Sequence, residues 1–343
     1  MLAPSSVLII YTGGTIGMIK DLKSNAFKPF DFNHLKKEIP ELTKFNIRLQ
    51  SISFDEPIDS SNMDVEVWQR IGQIVTDEYE KYDGFVILHG SDTMAYTASA
   101  LSFMLRNLSK PVVLTGSQLP IGTIRTDGKE NLITAIEIAG ARKKNRAVVP
   151  EVSIYFEYTL LRGNRTTKFN AEHFDAFKSA NYPPLAQAGV HIEYNWSNTK
   201  TPSAEPFTYY PSLNDNVAIL KLYPGITKVA VMAVLKIEGL KGIILETFGS
   251  GNAPTYPWFV AALENIIKRG VIVVNVTQCA GGSVDQGRYE TSTELHRIGV
   301  VSGLDMTTEA AITKLMHTIG LNMSLVESRK YYKKNLSGEI SIK

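Results

Sequence analysis

Short apolar, β-branched runs recur along the chain, most of them opening directly into loops rich in glycine and hydroxyl residues. They lie at 7–11 before TGGTIG, 85–89 before GSDT, 112–114 before TGSQLP, and at 152–156. Others lie at 217–222 before YPG, 242–247 before FGSGNAP and 271–276 before TQCAGG. Runs this uniformly apolar suit strands covered on both faces, as in a mainly parallel sheet. Between them, residues 64–81, 93–108, 127–142, 257–269 and 309–321 carry apolar positions at helical spacing, several starting on Asp or Pro. Strand, loop and helix in alternation predict an α/β protein.

The alternation lapses between 194 and 216, a stretch rich in Asn, Ser, Thr, Pro and Tyr. That composition predicts a linker at 194–216 between an N-terminal α/β domain at 1–193 and a smaller α/β domain at 217–343. In open parallel sheets ligands bind beyond the carboxyl ends of the strands, so the loops are where chemistry is expected.

Composition narrows the partners. A net charge of +2 over 343 residues gives no reason to expect nucleic acid or a membrane surface. The one basic cluster, Arg142, Lys143, Lys144 and Arg146, reads as a solvated helix end. Cys279 is the only cysteine, so no intrachain disulfide can form. The first residues lack the basic n-region of a signal peptide, and no apolar run approaches the ~20 residues of a membrane span. Together these features point to the cytoplasm.

The loops have ordinary readings as well as chemical ones. TGGTIG at 12–17 is no dinucleotide fingerprint, because its first two glycines are adjacent; alone it reads as a tight turn or a cradle. Thr15 adds a hydroxyl in a loop whose glycines let a ligand approach the backbone. Ser91 and Asp92, just before a helix, read as caps worth ~1 kcal/mol. The N–H groups at such a helix start also make good oxyanion donors. Lys168, after RGNRTT, is either exposed or buried beside an acid, which would let it exchange protons. The chain has no HExxH, CxxC, Walker loop or GxSxG elbow, and its six histidines do not fall at metal-ligand spacing.

Taken together, TGGTIG, HGSDTMAYTASAL, TGSQLP and RGNRTTK, with DSSNM at 59–63, SGNAP at 250–254 and TQC at 277–279, resemble the bacterial L-asparaginase family, most of all its cytosolic type I members. The resemblance implies two α/β domains with mainly parallel sheets and an active site at strand C-terminal ends, near a domain and subunit interface. It implies hydrolysis of L-asparagine to L-aspartate and ammonia through a β-aspartyl ester on Thr15. Ser91, Asp92 and Lys168 match the second catalytic cluster. Asp59, Ser60, Ser61, Ser117 and Asn252 match substrate-binding positions, Asn252 being one supplied by a neighbouring subunit. The family uses no metal or organic cofactor and assembles as homodimers or homotetramers.

Three departures stand out. The family usually has Thr at the position of Ser91, so the hydroxyl survives without the methyl that restrains its rotamer. A tyrosine of the mobile loop after the first motif has no clear match; Phe27 is its nearest counterpart, and Tyr11 and Tyr96 lie in other motifs. Thr167 and Cys279 match positions lining an effector pocket, but Glu246 stands where an allosteric type I member has arginine. A vestigial pocket is expected. One methylene is worth only ~1–3 kcal/mol of discrimination, which leaves room for minor glutaminase activity. A tRNA-dependent amidotransferase is disfavoured by the near-neutral charge and the lack of an added domain. A non-catalytic amino-acid sensor on this fold would need the binding residues but not Thr15.

Overall fold

A computed structural model describes residues 4–17, 19–20, 27–28, 39–286 and 290–341, with the side chains of 19–20, 27–28 and 290–292 left aside. The chain forms two compact units: 1–179 with 183–211, and 180–182 with 212–343.

The first unit is built on an eight-stranded sheet. Its strands are β1 (Ser5–Gly13), β2 (Ile47–Ile58), β3 (Gly84–Leu88), β4 (Val112–Thr115), β5 (Val152–Phe156), β6 (Thr159–Arg162), β7 (Ala186–Ala188) and β8 (Ile192–Tyr194). They lie in the order β8-β7-β6-β5-β4-β3-β1-β2. From β2 to β5 all pairings are parallel, and β6, β7 and β8 extend the sheet antiparallel. Every residue of β3, β4 and β5 is buried, as their uniformly apolar sequences predict. Each fully buried Val, Ile or Leu there contributes roughly 1.5–3 kcal/mol.

Helices α1 (Val65–Asp77), α2 (Met94–Met104) and α3 (Gly128–Gly140) accompany this sheet. Asp64 caps α1 by accepting from the Val67 N–H at 2.9 Å. Helix α2 has ten buried residues and so presents no polar face, which suits a helix enclosed on all sides.

The second unit has a four-stranded, all-parallel sheet of β9 (Val217–Lys221), β10 (Gly242–Thr247), β11 (Ile272–Thr277) and β12 (Val301–Ser302) in that order. Among its described residues five helices accompany it: α4 (Lys228–Leu235), α5 (Pro257–Lys268), α6 (Glu290–Arg297), α7 (Thr308–Gly320) and α8 (Leu325–Tyr332). Thr227 and Thr307 cap α4 and α7, and Ser324 with Glu327 forms a capping box on α8.

Two expectations need correcting. Most of the stretch 194–216 is not a free connector. Thr208–Tyr209 pairs antiparallel with Leu105–Arg106, and the Tyr209 hydroxyl donates to the Gln69 carbonyl at 2.8 Å. Its ring fills the space above Gly72, so an aromatic side chain anchors a polar segment. The boundary between the units falls at 211/212. The basic cluster is also not a helix end. After α3, Arg142–Lys143 pairs with Arg146–Ala147 across a turn in which Lys144 and Asn145 have φ of 50° and 63°. Arg142 pairs with Asp83 at 2.5 Å, and Lys143 stacks over the Trp196 ring at 3.9 Å.

Candidate active site

The loop after β1 carries Thr15 at the start of a 3₁₀ turn, Thr15–Gly17. Gly13 and Gly14 have φ of 138° and 83°, conformations that side chains resist. A Cβ on Gly14 would also collide with the backbone N and Cα of Gly90. The first motif is therefore pressed against the second, backbone to backbone. Thr12 fixes the loop from below, its hydroxyl donating to the Leu88 carbonyl at 3.0 Å. Thr15 itself is half-buried, and its hydroxyl makes no hydrogen bond among the described residues.

The capping reading of Ser91 and Asp92 fails. Helix α2 has Thr93 at its N-cap with no side-chain cap bond, and the Thr93 hydroxyl donates instead to the Ser60 carbonyl at 2.6 Å. Ser91 and Asp92 are both engaged by Lys168. The Lys168 Nζ donates to Ser91 Oγ at 2.9 Å and to Asp92 Oδ1 at 2.6 Å. Most of the lysine side chain is covered, at 16% exposure, whereas that of Asp92 is 66% exposed.

The base of Lys168 is fixed by its surroundings. Thr167–Lys168 pairs with Phe177–Lys178. The preceding turn, Gly163–Arg165, is buried against α2, where a Cβ on Gly163 would crowd Ala98. Arg162, just upstream, makes a buried pair with Glu151 at 2.5 Å and donates to the Asn198 carbonyl at 2.9 Å.

The TGSQLP loop enters from β4. The Ser91 hydroxyl donates to Gln118 Oε1 at 3.2 Å, and Gln118 Nε2 donates to the carbonyls of Ala171 and His173 at 3.2 and 3.1 Å. Buried Asp127 accepts the N–H groups of Gln118 and Leu119, and Asn131 Nδ2 donates to the Gly116 carbonyl at 3.0 Å. The peptides on either side of buried Ser117 are thus both tied down. Sequence reasoning missed Gln118, Asp127 and Asn131. The signal available was an Asp and an Asn four apart at a helix start, one turn below the motif they hold.

Asp59 accepts from the Ser61 N–H at 2.9 Å and the Ser61 hydroxyl at 2.8 Å, bonds that hold its carboxyl below the ordinary range. Ser60 is buried with its hydroxyl over Gly90. Asp59, Ser60, Ser61, Ser91, Asp92, Ser117, Lys168 and Thr15 therefore all belong to the first unit, on loops that abut one another. Tyr11 lies with its ring against Gly17, and burial pushes its hydroxyl up to about 12. The Phe27 side chain lies outside the described residues.

Asn252, Glu246 and Cys279 belong to the second unit. Asn252 closes a tight loop by backbone bonds with Phe248. Two buried side chains of β11 hold that loop: Asn275 Nδ2 donates to the Gly251 carbonyl at 3.0 Å, and the Thr277 hydroxyl to the Gly249 carbonyl at 2.6 Å. A lone Asn in an apolar strand was the missed signal. Glu246, at the end of β10, accepts from the Thr308 hydroxyl at 2.6 Å and faces Lys221 at 3.5 Å. Cys279 is a free, exposed thiol. Among the described residues no cluster of His, Cys, Asp and Glu could hold a metal ion, and no helix is long and apolar enough to cross a membrane.

Comparison with known proteins covers both units. The family model described as asparaginase, N-terminal, matches residues 6–200, and that of the glutaminase/asparaginase C-terminal domain matches 216–332. L-asparaginase 1 of Escherichia coli strain K12 is 41% identical, the match covering 98% of each chain. Among solved structures, L-asparaginase I from Vibrio cholerae aligns with a TM-score of 0.88 at 40% identity, covering 98% of this chain and 99% of that one. The thermostable L-asparaginase from Thermococcus kodakarensis aligns with a TM-score of 0.90 at 33% identity, covering 98% and 100%.

Proposed function

The chain belongs to the asparaginase family and is an L-asparaginase that hydrolyses L-asparagine to L-aspartate and ammonia; we propose that it does so through an ester on Thr15. One observation carries the assignment of roles: Lys168 joins Ser91 to Asp92, in a loop whose Gly90 is pressed against the Thr15 loop.

In this reading the Thr15 hydroxyl oxygen attacks the side-chain amide carbon of asparagine. The new C–O bond places negative charge on the amide oxygen, which the Ser91 N–H stabilises. The proton lost by Thr15 passes through the Ser91 hydroxyl, whose transfer Lys168 eases, to the departing nitrogen. The C–N bond breaks, ammonia leaves, and water then cleaves the β-aspartyl ester to restore Thr15. Asp59 supplies a carboxylate for the substrate's α-amino group, with Ser60, Ser61 and Asp92 completing the grip on its α-substituents, and the Ser117 carbonyl receives the amide N–H₂.

We further propose a homodimer or homotetramer in which Asn252 serves a neighbouring copy's site, and a cytoplasmic location, supported by the single cysteine. Glutaminase turnover is expected to be minor. Ammonia release from asparagine by the purified protein tests the whole reading. Wild-type turnover with none in Thr15→Ala supports it. Binding of asparagine without ammonia release would overturn it in favour of a sensor.

A further inference from the structure

His89 directly follows β3 and is wholly buried, yet the mechanism above makes no use of it. Its hydrogen bonds run in a chain through three elements. Trp68 Nε1, on α1, lies 2.9 Å from the Thr97 hydroxyl on α2; that hydroxyl lies 2.8 Å from His89 Nε2; and His89 Nδ1 lies 2.6 Å from the Gly90 carbonyl oxygen. An indole N–H only donates and a carbonyl only accepts. Thr97 therefore accepts from Trp68 and gives its own proton to His89 Nε2, while Nδ1 carries the ring proton and donates to Gly90. The Gly90 end sets this tautomer: burial, which lowers the ring's pKa to about 4, keeps the ring neutral, so with Nδ1 protonated Nε2 is left as the acceptor, and the donation from Trp68 is compatible with it.

The end of the chain matters for the chemistry. A trans peptide points its C=O and the following N–H in opposite directions. Fixing the Gly90 carbonyl therefore fixes the Ser91 N–H, and that N–H makes no hydrogen bond among the described residues. Gly90 is also the residue against which Gly14 and the Ser60 hydroxyl pack, so its peptide lies where the motifs meet.

We propose that Trp68, Thr97 and His89 form a positioning relay that clamps the Gly90 carbonyl and so aims the Ser91 N–H at the oxygen of the scissile amide. The proposal rests on the reading of Ser91 as oxyanion donor. A histidine that only fills the core would serve stability and leave the aim of that N–H untouched. Thr97→Val is near-isosteric and removes the hydroxyl, and Thr97→Ser keeps it. Misaiming one donor costs less than deleting it, so Thr97→Val is expected to lower kcat about tenfold with KM within about twofold, and Thr97→Ser to restore most of the loss. Independently of either variant, ¹⁵N spectra of the wild-type protein at neutral pH, assigned by difference from His89→Gln, should show His89 protonated at Nδ1. An Nε2–H tautomer, or wild-type kcat in a folded Thr97→Val, would overturn the relay while leaving the asparaginase reading intact. Failure of the wild-type protein to release ammonia would instead strike that reading.

Discussion

Two lysine–carboxylate pairs in this chain have nearly the same geometry and opposite surroundings. Lys168 meets Asp92 at 2.6 Å, and Lys314, on α7, meets Glu339 at 2.5 Å. Both members of the second pair are fully covered. Lys314 also donates to the Lys334 carbonyl at 2.6 Å, and Glu339 accepts the N–H groups of Leu336 and Ser337. Burial pushes the Glu339 carboxyl up, but the Lys314 ammonium and those N–H groups outweigh it and hold it below the ordinary range. It is a closed fastening for the C-terminal tail. The Lys168 pair is open instead: its acid faces solvent and its lysine spends a second proton on the Ser91 hydroxyl. On the roles proposed above, distance does not distinguish a reactive pair from a structural one. The distinction lies in whether the remaining hydrogen-bonding sites end on backbone or on another reactive group.

The largest expected effects are on the open side. Thr15→Ala and Lys168→Met should each lower kcat by about a thousandfold or more, at about 1.4 kcal/mol of barrier per tenfold, with the melting temperature almost unchanged. Ser91→Ala should be severe and Ser91→Thr tolerated, since the added methyl restricts χ1 without removing the hydroxyl. Steady-state ammonia release beside thermal melts checks all four. Near-wild-type turnover in Thr15→Ala would remove the nucleophile assignment.

Glu339→Gln should do the reverse. It leaves the Lys314 ammonium buried without its charge partner, a class of change costing about 3–5 kcal/mol of stability. Denaturant unfolding should register that loss, while kcat per folded molecule stays at the wild-type value. A fall in kcat without a fall in stability would show that the tail does more than fasten.

These contrasts explain what the sequence made legible. Strands covered on both faces announce themselves by uniform apolarity, and β3, β4, β5, β10 and β11 were readable for that reason. The edge strand β2 was not, because half of it faces water and its letters alternate. The motif residues were legible one by one. Whether Ser91 and Asp92 cap a helix or serve chemistry was not, since the answer depends on Lys168, more than seventy residues away in sequence. The supporting side chains Asp127, Asn131, Asn275 and Thr277 act through tertiary hydrogen bonds; local pattern marks some of them as out of place but does not name their partners.

Acid should separate another buried group from the two pairs. Burial lowers the His89 pKa from 6.5 to about 4, so between those values the unfolded chain takes up a proton that the folded chain refuses. Stability should therefore fall as pH drops through that window, by on the order of 3 kcal/mol in total. The depressed carboxyl of Glu339 adds a loss only at lower pH, as that group is protonated. Unfolding free energies from pH 7 to 4 should show the slope in the wild type and lose most of it in His89→Gln. An equal slope in both would place the titrating group elsewhere.

A third pair lies between the two extremes, and the smallest effect is expected there. Glu246, mostly covered, accepts from Thr308 and faces Lys221, whose side chain is largely exposed and screens it weakly. At this position the resemblance implies an arginine that would pair with the α-carboxylate of an effector asparagine, a bidentate, charge-assisted contact. A carboxylate there replaces that attraction with repulsion. Lys314 is no substitute cation, because it is closed into the pair with Glu339; Arg288 lies outside the described residues. Allostery requires different affinities for two states, and a ligand held out of its site contributes none. Initial rates against asparagine concentration should accordingly follow a hyperbola, and Thr167→Ala should leave that shape unchanged. A sigmoidal curve that turns hyperbolic in Thr167→Ala would show that the effector still binds and that Glu246 does not oppose it.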